Sequence, residues 1–78
     1  MEKNIKVSLL YQIYGELLTK RQKDIIEDYY NNDLSLAEIS EALGITRQAV
    51  RDTIKSAEKK LFKYESKLKL MERGIYGV

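Results

Sequence analysis

The sequence of 78 residues contains no cysteine and no histidine. Without cysteine, no disulfide can staple a small domain and no thiolate metal site can form. Without histidine, the commonest general base and the commonest metal ligand are both missing. Ser-His and Cys-His nucleophiles are therefore excluded, and the carboxylates, lysines and tyrosines show no recognisable catalytic spacing. The expectation is a non-enzymatic protein with no cofactor and no metal. Proline is absent as well, and glycine is confined to Gly15, Gly44, Gly74 and Gly77. With so few breakers among strong helix formers, the chain reads as all-α. Long hydrophobic runs are also lacking. The longest, "VSLLYQIYGELL", is interrupted by Ser8, Gln12 and Glu16, so no membrane span is expected. No apolar stretch with a small-residue cleavage site follows Met1, so no signal peptide is expected either. The expected location is cytoplasmic.

What is present is charge, unevenly placed. Residues 1–42 carry 5 Lys/Arg against 8 Asp/Glu, a balance of −3, whereas residues 43–78 carry 9 against 4, a balance of +5. A polyanion would meet the C-terminal part. The length suits one small domain, residues 1–78, whose modest core invites support from a partner subunit.

Four helices are predicted. The first covers roughly residues 4–17, with Ile5, Leu9, Ile13 and Leu17 at spacing four and Leu10, Tyr14 and Leu18 on the adjacent strip. Thr19 with Gln22 forms a capping box for the second, whose buried side is assigned to Ile25, Ile26, Tyr29 and Tyr30 and which ends at "NND". Ser35 with Glu38 forms another capping box for a short third helix. Gly44 is placed as its left-handed C-terminal residue. Thr46 caps a long fourth helix, residues 46–73. Along it Val50, Ile54, Ala57, Leu61, Tyr64, Leu68, Met71 and Ile75 alternate spacings of four and three, the heptad pattern by which helices pair. The part from Leu61 onward, with Tyr64, Leu68 and Met71, is the expected interface of a homodimer.

Residues 35–56 meet the demands of a helix-turn-helix core. Ser40 is the small residue at the helix crossing, Gly44 makes the turn, and Ile45, Val50 and Ile54 bury the inner side, with Leu36, Ile39 and Leu43 packing from the first helix of the motif. On the outer side Arg47, Arg51 and Lys55 are four apart and share one stripe, with Gln48 beside it. Arg can take guanine and Gln adenine bidentately, and both stand in the first turn, where a recognition helix reads bases. The Thr46 hydroxyl and the first backbone N–H groups could hold a phosphate. Lys59, Lys60 and Lys63 suit backbone contact. Asp52 adjoins the stripe and would oppose a phosphate. Two roles stay open for this face, DNA or RNA contact and protein docking.

The segment "LLTKRQKDIIEDYYNNDLSLAEISEALGITRQAVRDTIKSAEKKLFKYESKL", Leu17 to Leu68, resembles the YlxM family, small bacterial proteins associated with the signal recognition particle. Three pieces carry the resemblance: "LTKRQ", "DLSLAEISEALGITRQAV" and "KKLFKYESKL". It implies a fold like the helix-turn-helix of sigma factor region 4. It also implies a non-enzymatic accessory of the particle pathway, with the particle's protein, its receptor or its RNA as partners. Thr46, Arg47, Gln48 and Arg51 would be the contact positions by the same resemblance. A sigma-like transcription regulator is the alternative. Family members continue into a further helical segment, whereas this chain stops at "GIYGV".

Overall fold

Three helices of this chain start on a hydroxyl side chain, and all three starts follow the same chemistry. The first N–H groups of a helix lack intrahelical acceptors, and a Ser or Thr oxygen just ahead of them supplies one. In the computed structural model, which describes residues 2–74, these caps delimit α2 (Lys20–Ile26), α3 (Leu36–Leu43) and α4 (Arg47–Leu68). Before them runs α1 (Lys3–Tyr14), closed by a 3-10 turn over Gly15–Leu17, and after them a short α5 (Leu70–Arg73). The last turn of α2 widens into a π-helical segment, Glu27–Asn31. The protein is all-α, with a long C-terminal helix.

α4 is the element on which α1, α2 and α3 all pack. Its Val50, Ala57 and Leu61 are fully buried and Ile54 nearly so, together with Val7, Leu10 and Tyr14 of α1, Ile25 and Ile26 of α2, and Ile39 of α3. The buried stripe of α1 therefore differs from the expected leading one. Val7, Leu10, Tyr14 and Leu18 face the core, while Ile5 and Leu17 stay 51% and 54% exposed. Four residues overshoot a turn by about 40°, so three strict steps of four drift about 120° around the helix. Spacings of three and four keep the stripe on one face. Tyr29 departs in the same way: it lies on the π-helical segment Glu27–Asn31 and is 37% exposed. Gly15 lies close under the Tyr11 ring: a Cβ there would stand 3.0 Å from its Cε1, and the ring would have to shift to admit it.

The long last helix stops earlier than expected. Instead of running to Arg73, α4 ends at Leu68, and Lys69 turns left-handed at φ 56°. The cause is a polar cluster outside the heptad pattern. Tyr14 Oη donates to Glu65 Oε1 at 2.7 Å and accepts from the Leu70 N–H at 3.1 Å. Glu65 also accepts from the N–H groups of Met71 and Glu72, at 3.1 and 3.0 Å. One carboxylate and one phenol thus satisfy the opening N–H groups of α5 and turn it back onto α1. Burial alone would raise the Glu65 carboxyl. The hydrogen bonds from Tyr14, Met71 and Glu72, with the nearby Lys6 charge, outweigh it and hold that carboxyl below its ordinary range. Burial and the bond to Glu65 push the Tyr14 phenol up.

Of the residues expected to form a dimer seam, Leu61 belongs wholly to the core of its own chain. Tyr64 and Met71 are half-buried against that core, Tyr64 with its ring 6.0 Å from that of Tyr14. Leu68 alone of the four is exposed, at 48%. Ile75, the final seam position, lies outside the described residues.

Two outcomes follow for stability. Gly44 sits at φ 69° with no atom within 4 Å of where a Cβ would stand, so substitution there meets backbone strain and no clash. Gly44→Ala should cost about 1–2 kcal/mol in urea unfolding, the left-handed penalty for an L-residue. Gly44→Asn should cost less, and equal stability of all three proteins would remove the turn from this position. Glu65 has a lowered folded-state value, so its contribution is present above the ordinary carboxylate range and is lost as pH falls through the folded value. Glu65→Gln should therefore lower the melting temperature at neutral pH. The gap to wild type should narrow only as pH falls through that lowered folded value, below which both side chains are neutral. A gap independent of pH in thermal melts would contradict it.

Candidate nucleic-acid interface

The helix-turn-helix is assembled from local signals. Ser35 Oγ accepts from the Glu38 N–H at 3.1 Å while Glu38 Oε1 accepts from the Ser35 N–H at 2.9 Å, closing the capping box. The bond from the Ser35 backbone holds the Glu38 carboxyl below its ordinary value. At the other end the Ser40 carbonyl receives the N–H groups of both Gly44 and Ile45, the latter at 3.1 Å, in the Schellman manner that a left-handed glycine permits. The Ser40 hydroxyl donates to the Ala37 carbonyl at 3.0 Å, so the small residue at the crossing leaves no polar group unpaired. Thr46 Oγ1 accepts from the Ala49 N–H at 3.0 Å and starts α4. That lone pair serves the helix, and the hydroxyl proton remains free to donate outward.

Because Val50 and Ile54 point into the core, the opposite side of α4 points out. Arg47, Gln48, Arg51 and Lys55 are all exposed. Among the described residues the ion pairs are Lys3 with Glu58, Lys20 with Asp24 and Lys23 with Glu16, so no cation of the stripe is neutralised by a carboxylate. Gln48 is less free. Its Nε2 donates to Asp52 Oδ1 at 2.8 Å, which engages one of the two N–H groups of the amide and orients the other. The same contact holds the Asp52 carboxylate beside the stripe.

The lysines farther along α4 divide between two tasks. Lys59 and Lys63 are exposed. Lys60 is turned toward α2, where its Nζ donates to Gln22 Oε1 at 3.2 Å, and Gln22 Nε2 donates to Ser56 Oγ at 3.4 Å. Gln22 is thus both the capping partner of Thr19 and the polar tie between α2 and α4. The capping pattern disclosed the first role, and no local spacing discloses the second.

Beside the stripe lies an open cleft of about 250 Å³, between α4 and the π-helical end of α2, with Arg51 and Lys55 on one wall and Tyr29 and Tyr30 on the other. Tyr30 donates its hydroxyl to Glu58 Oε2, and Lys3 Nζ stands 3.5 Å from Glu58 Oε1. Burial, with the bond to Glu58, pushes the Tyr30 phenol far up, so it stays protonated. The sequence reading missed this cleft by assigning Tyr29 to the core.

No helix among the described residues is long and apolar enough to cross a membrane.

Comparison with known proteins agrees with this architecture. The model of family UPF0122, described as "Putative helix-turn-helix protein, YlxM / p13 like", matches residues 1–75. A UPF0122 protein of Clostridium kluyveri is 54% identical over 72 residues, which cover 92% of this chain and 65% of the relative. A second, from Desulforamulus reducens, is 54% identical over 68 residues, covering 87% and 58%. A third, from a Thermoanaerobacter species, is 55% identical over 67 residues, covering 86% and 57%. The aligned part of the chain thus spans 57–65% of the length of these relatives. With a family model that matches residues 1–75 of its 78 and relatives more than half identical, the chain belongs to the UPF0122 family of YlxM / p13-like helix-turn-helix proteins.

Proposed function

We propose that this protein binds nucleic acid through the outer face of α4 and acts as a non-catalytic regulatory accessory of the signal recognition particle pathway. The observation that carries the binding reading is the stripe Arg47, Arg51 and Lys55. These cations are exposed and unpaired among the described residues, on a helix whose opposite face is locked in the core. Phosphate binding by such a stripe is favourable through release of counterions, and the helix start at Thr46 adds oriented N–H groups. Lys59 and Lys63 extend the same side toward the backbone of a longer ligand. The pathway assignment is supported by the resemblance to YlxM proteins, which names the particle's protein, its receptor and its RNA as partners in the cytoplasm. Self-association would use Leu68, the exposed member of the heptad seam.

The exposed Leu68 favours a second reading, in which the chain docks on a protein as an adapter. The two readings separate cleanly in a pull-down from lysate with and without nuclease. A nuclease-sensitive catch supports the first, and a nuclease-resistant catch lost in Leu68→Ala supports the second.

Binding to duplex DNA and to the particle RNA over a range of salt tests the interface directly. Removing Lys55 should weaken binding to every sequence and flatten the salt slope by about one unit. Arg47→Ala with Arg51→Ala should flatten it by about two, and an unchanged slope in the double variant would take the stripe out of the interface. Asp52→Ala removes the carboxylate beside the stripe and releases the Gln48 amide. It should tighten binding about threefold at low salt, with the gain fading as screening increases. Weaker binding in this variant would mean that Asp52 positions Gln48 for contact.

A further inference from the structure

We propose that the cleft between the tyrosine pair and α4 takes one unpaired nucleotide, its base against Tyr29 and its phosphate on Arg51 and Lys55. This rests on the nucleic-acid reading above and adds to it a site on a second element. Tyr29 and Tyr30 pack edge to face with ring centroids 5.0 Å apart and planes at 86°. Tyr30 is held from behind through its bond to Glu58, so it acts as a fixed prop. Tyr29 has no such bond among the described residues and stays 37% exposed on the cleft wall. A protein that stacks bases needs an aromatic ring that is rigid yet open to solvent, and every base offers a face to such a ring. The ring sits on the π-helical segment Glu27–Asn31, a departure from α-helical geometry that concentrates at functional sites.

Size and charge narrow the occupant. The cleft is open and about 250 Å³, too small for a paired duplex to enter. Arg51 and Lys55 stand on the α4 wall and are unpaired among the described residues, while the negative charge of Glu58 is offset by Lys3 and the Tyr30 hydroxyl. A second hollow against the same tyrosine pair is lined by Lys3, Asn4 and Asp33; its one cation, Lys3, is paired with Glu58, and the Asp33 carboxylate opposes a phosphate. The backbone of the nucleotide is therefore drawn to the α4 wall. A paired duplex lying on α4 presents phosphates and base edges, and its base faces are covered by their neighbours. Only a base out of the stack can reach Tyr29.

The test compares three probes: a fully paired RNA hairpin stem, the same stem with one bulged fluorescent adenine analogue, and the bulged stem made as DNA. Wild type should prefer the bulged RNA over the paired stem by about tenfold and quench the analogue. Tyr29→Ala should abolish the preference and the quenching, with affinity for the paired stem as the internal reference. Tyr29→Phe, which keeps the ring, should retain both, and circular dichroism establishes that each variant is folded. An equal preference for bulged DNA assigns the site to base and phosphate alone, whereas a preference confined to RNA adds the 2′-hydroxyl to what is recognised. Equal binding of paired and bulged stems, or a preference that survives Tyr29→Ala, overturns the site while leaving the α4 interface standing. Failure to bind any of the probes overturns both.

Discussion

The rest of the structure depends on the burial of one stripe of α4. Val50, Ile54, Ala57 and Leu61 are buried where α4 meets α1, α2 and α3. Each large apolar side chain so buried contributes about 1.5–3 kcal/mol. This contact also decides what α4 shows to the outside. A helix fixed by its inner face has no freedom to rotate, so the direction of Arg47, Arg51 and Lys55 is a consequence of the core. The outward geometry of this stripe therefore needs no separate machinery to hold it.

Polar contacts complete the fixation along the flanks of α4. Gln22 ties α2 to Lys60 and Ser56, while Glu58 ties the helix to Tyr30 and Lys3. Among the described residues no buried side-chain nitrogen or oxygen lacks a partner. The positive charge of α4 is thereby sorted. Lys60 stays with the fold, and Arg47, Arg51, Lys55, Lys59 and Lys63 remain for solvent or ligand. Net charge along a helix is thus a poor measure of what reaches a polyanion, because inward-turned lysines count equally in the sequence.

Features set within three or four residues were legible in the sequence. The capping boxes Thr19–Gln22 and Ser35–Glu38, the cap at Thr46 and the left-handed Gly44 all stand as their spacing indicated. The heptad spacing also identified the inner face of α4 correctly as far as Leu61. What escaped depends on distant partners. The end of α4 is decided by Tyr14 and Glu65, 51 residues apart, and the tie between Gln22 and Lys60 spans 38. The facing of α1 escaped for a different reason: its outer side is almost as apolar as its inner side, so periodicity gave two stripes and no criterion between them. Of the candidate site, the outward stripe was readable, since it is the complement of a core pattern. The cleft was not, because it joins the start of α1, the end of α2 and the middle of α4.

The hydroxyl caps have a consequence for how the molecule comes to exist. Each one defines where its helix begins through a bond to a residue only three positions away. Such signals operate in the unfolded chain, before any tertiary contact, and favour nascent turns at the correct register. Chains organised this way have mostly short-range contacts, and helical topologies of low contact order fold in microseconds to milliseconds. On a ribosome adding about 5–20 residues per second, α2 and α3 would be searching for their register long before the last turn of α4 emerges. The slow event is the arrival of the spine itself, since the earlier helices share their largest common surface only once the stripe from Val50 to Leu61 has cleared the exit tunnel.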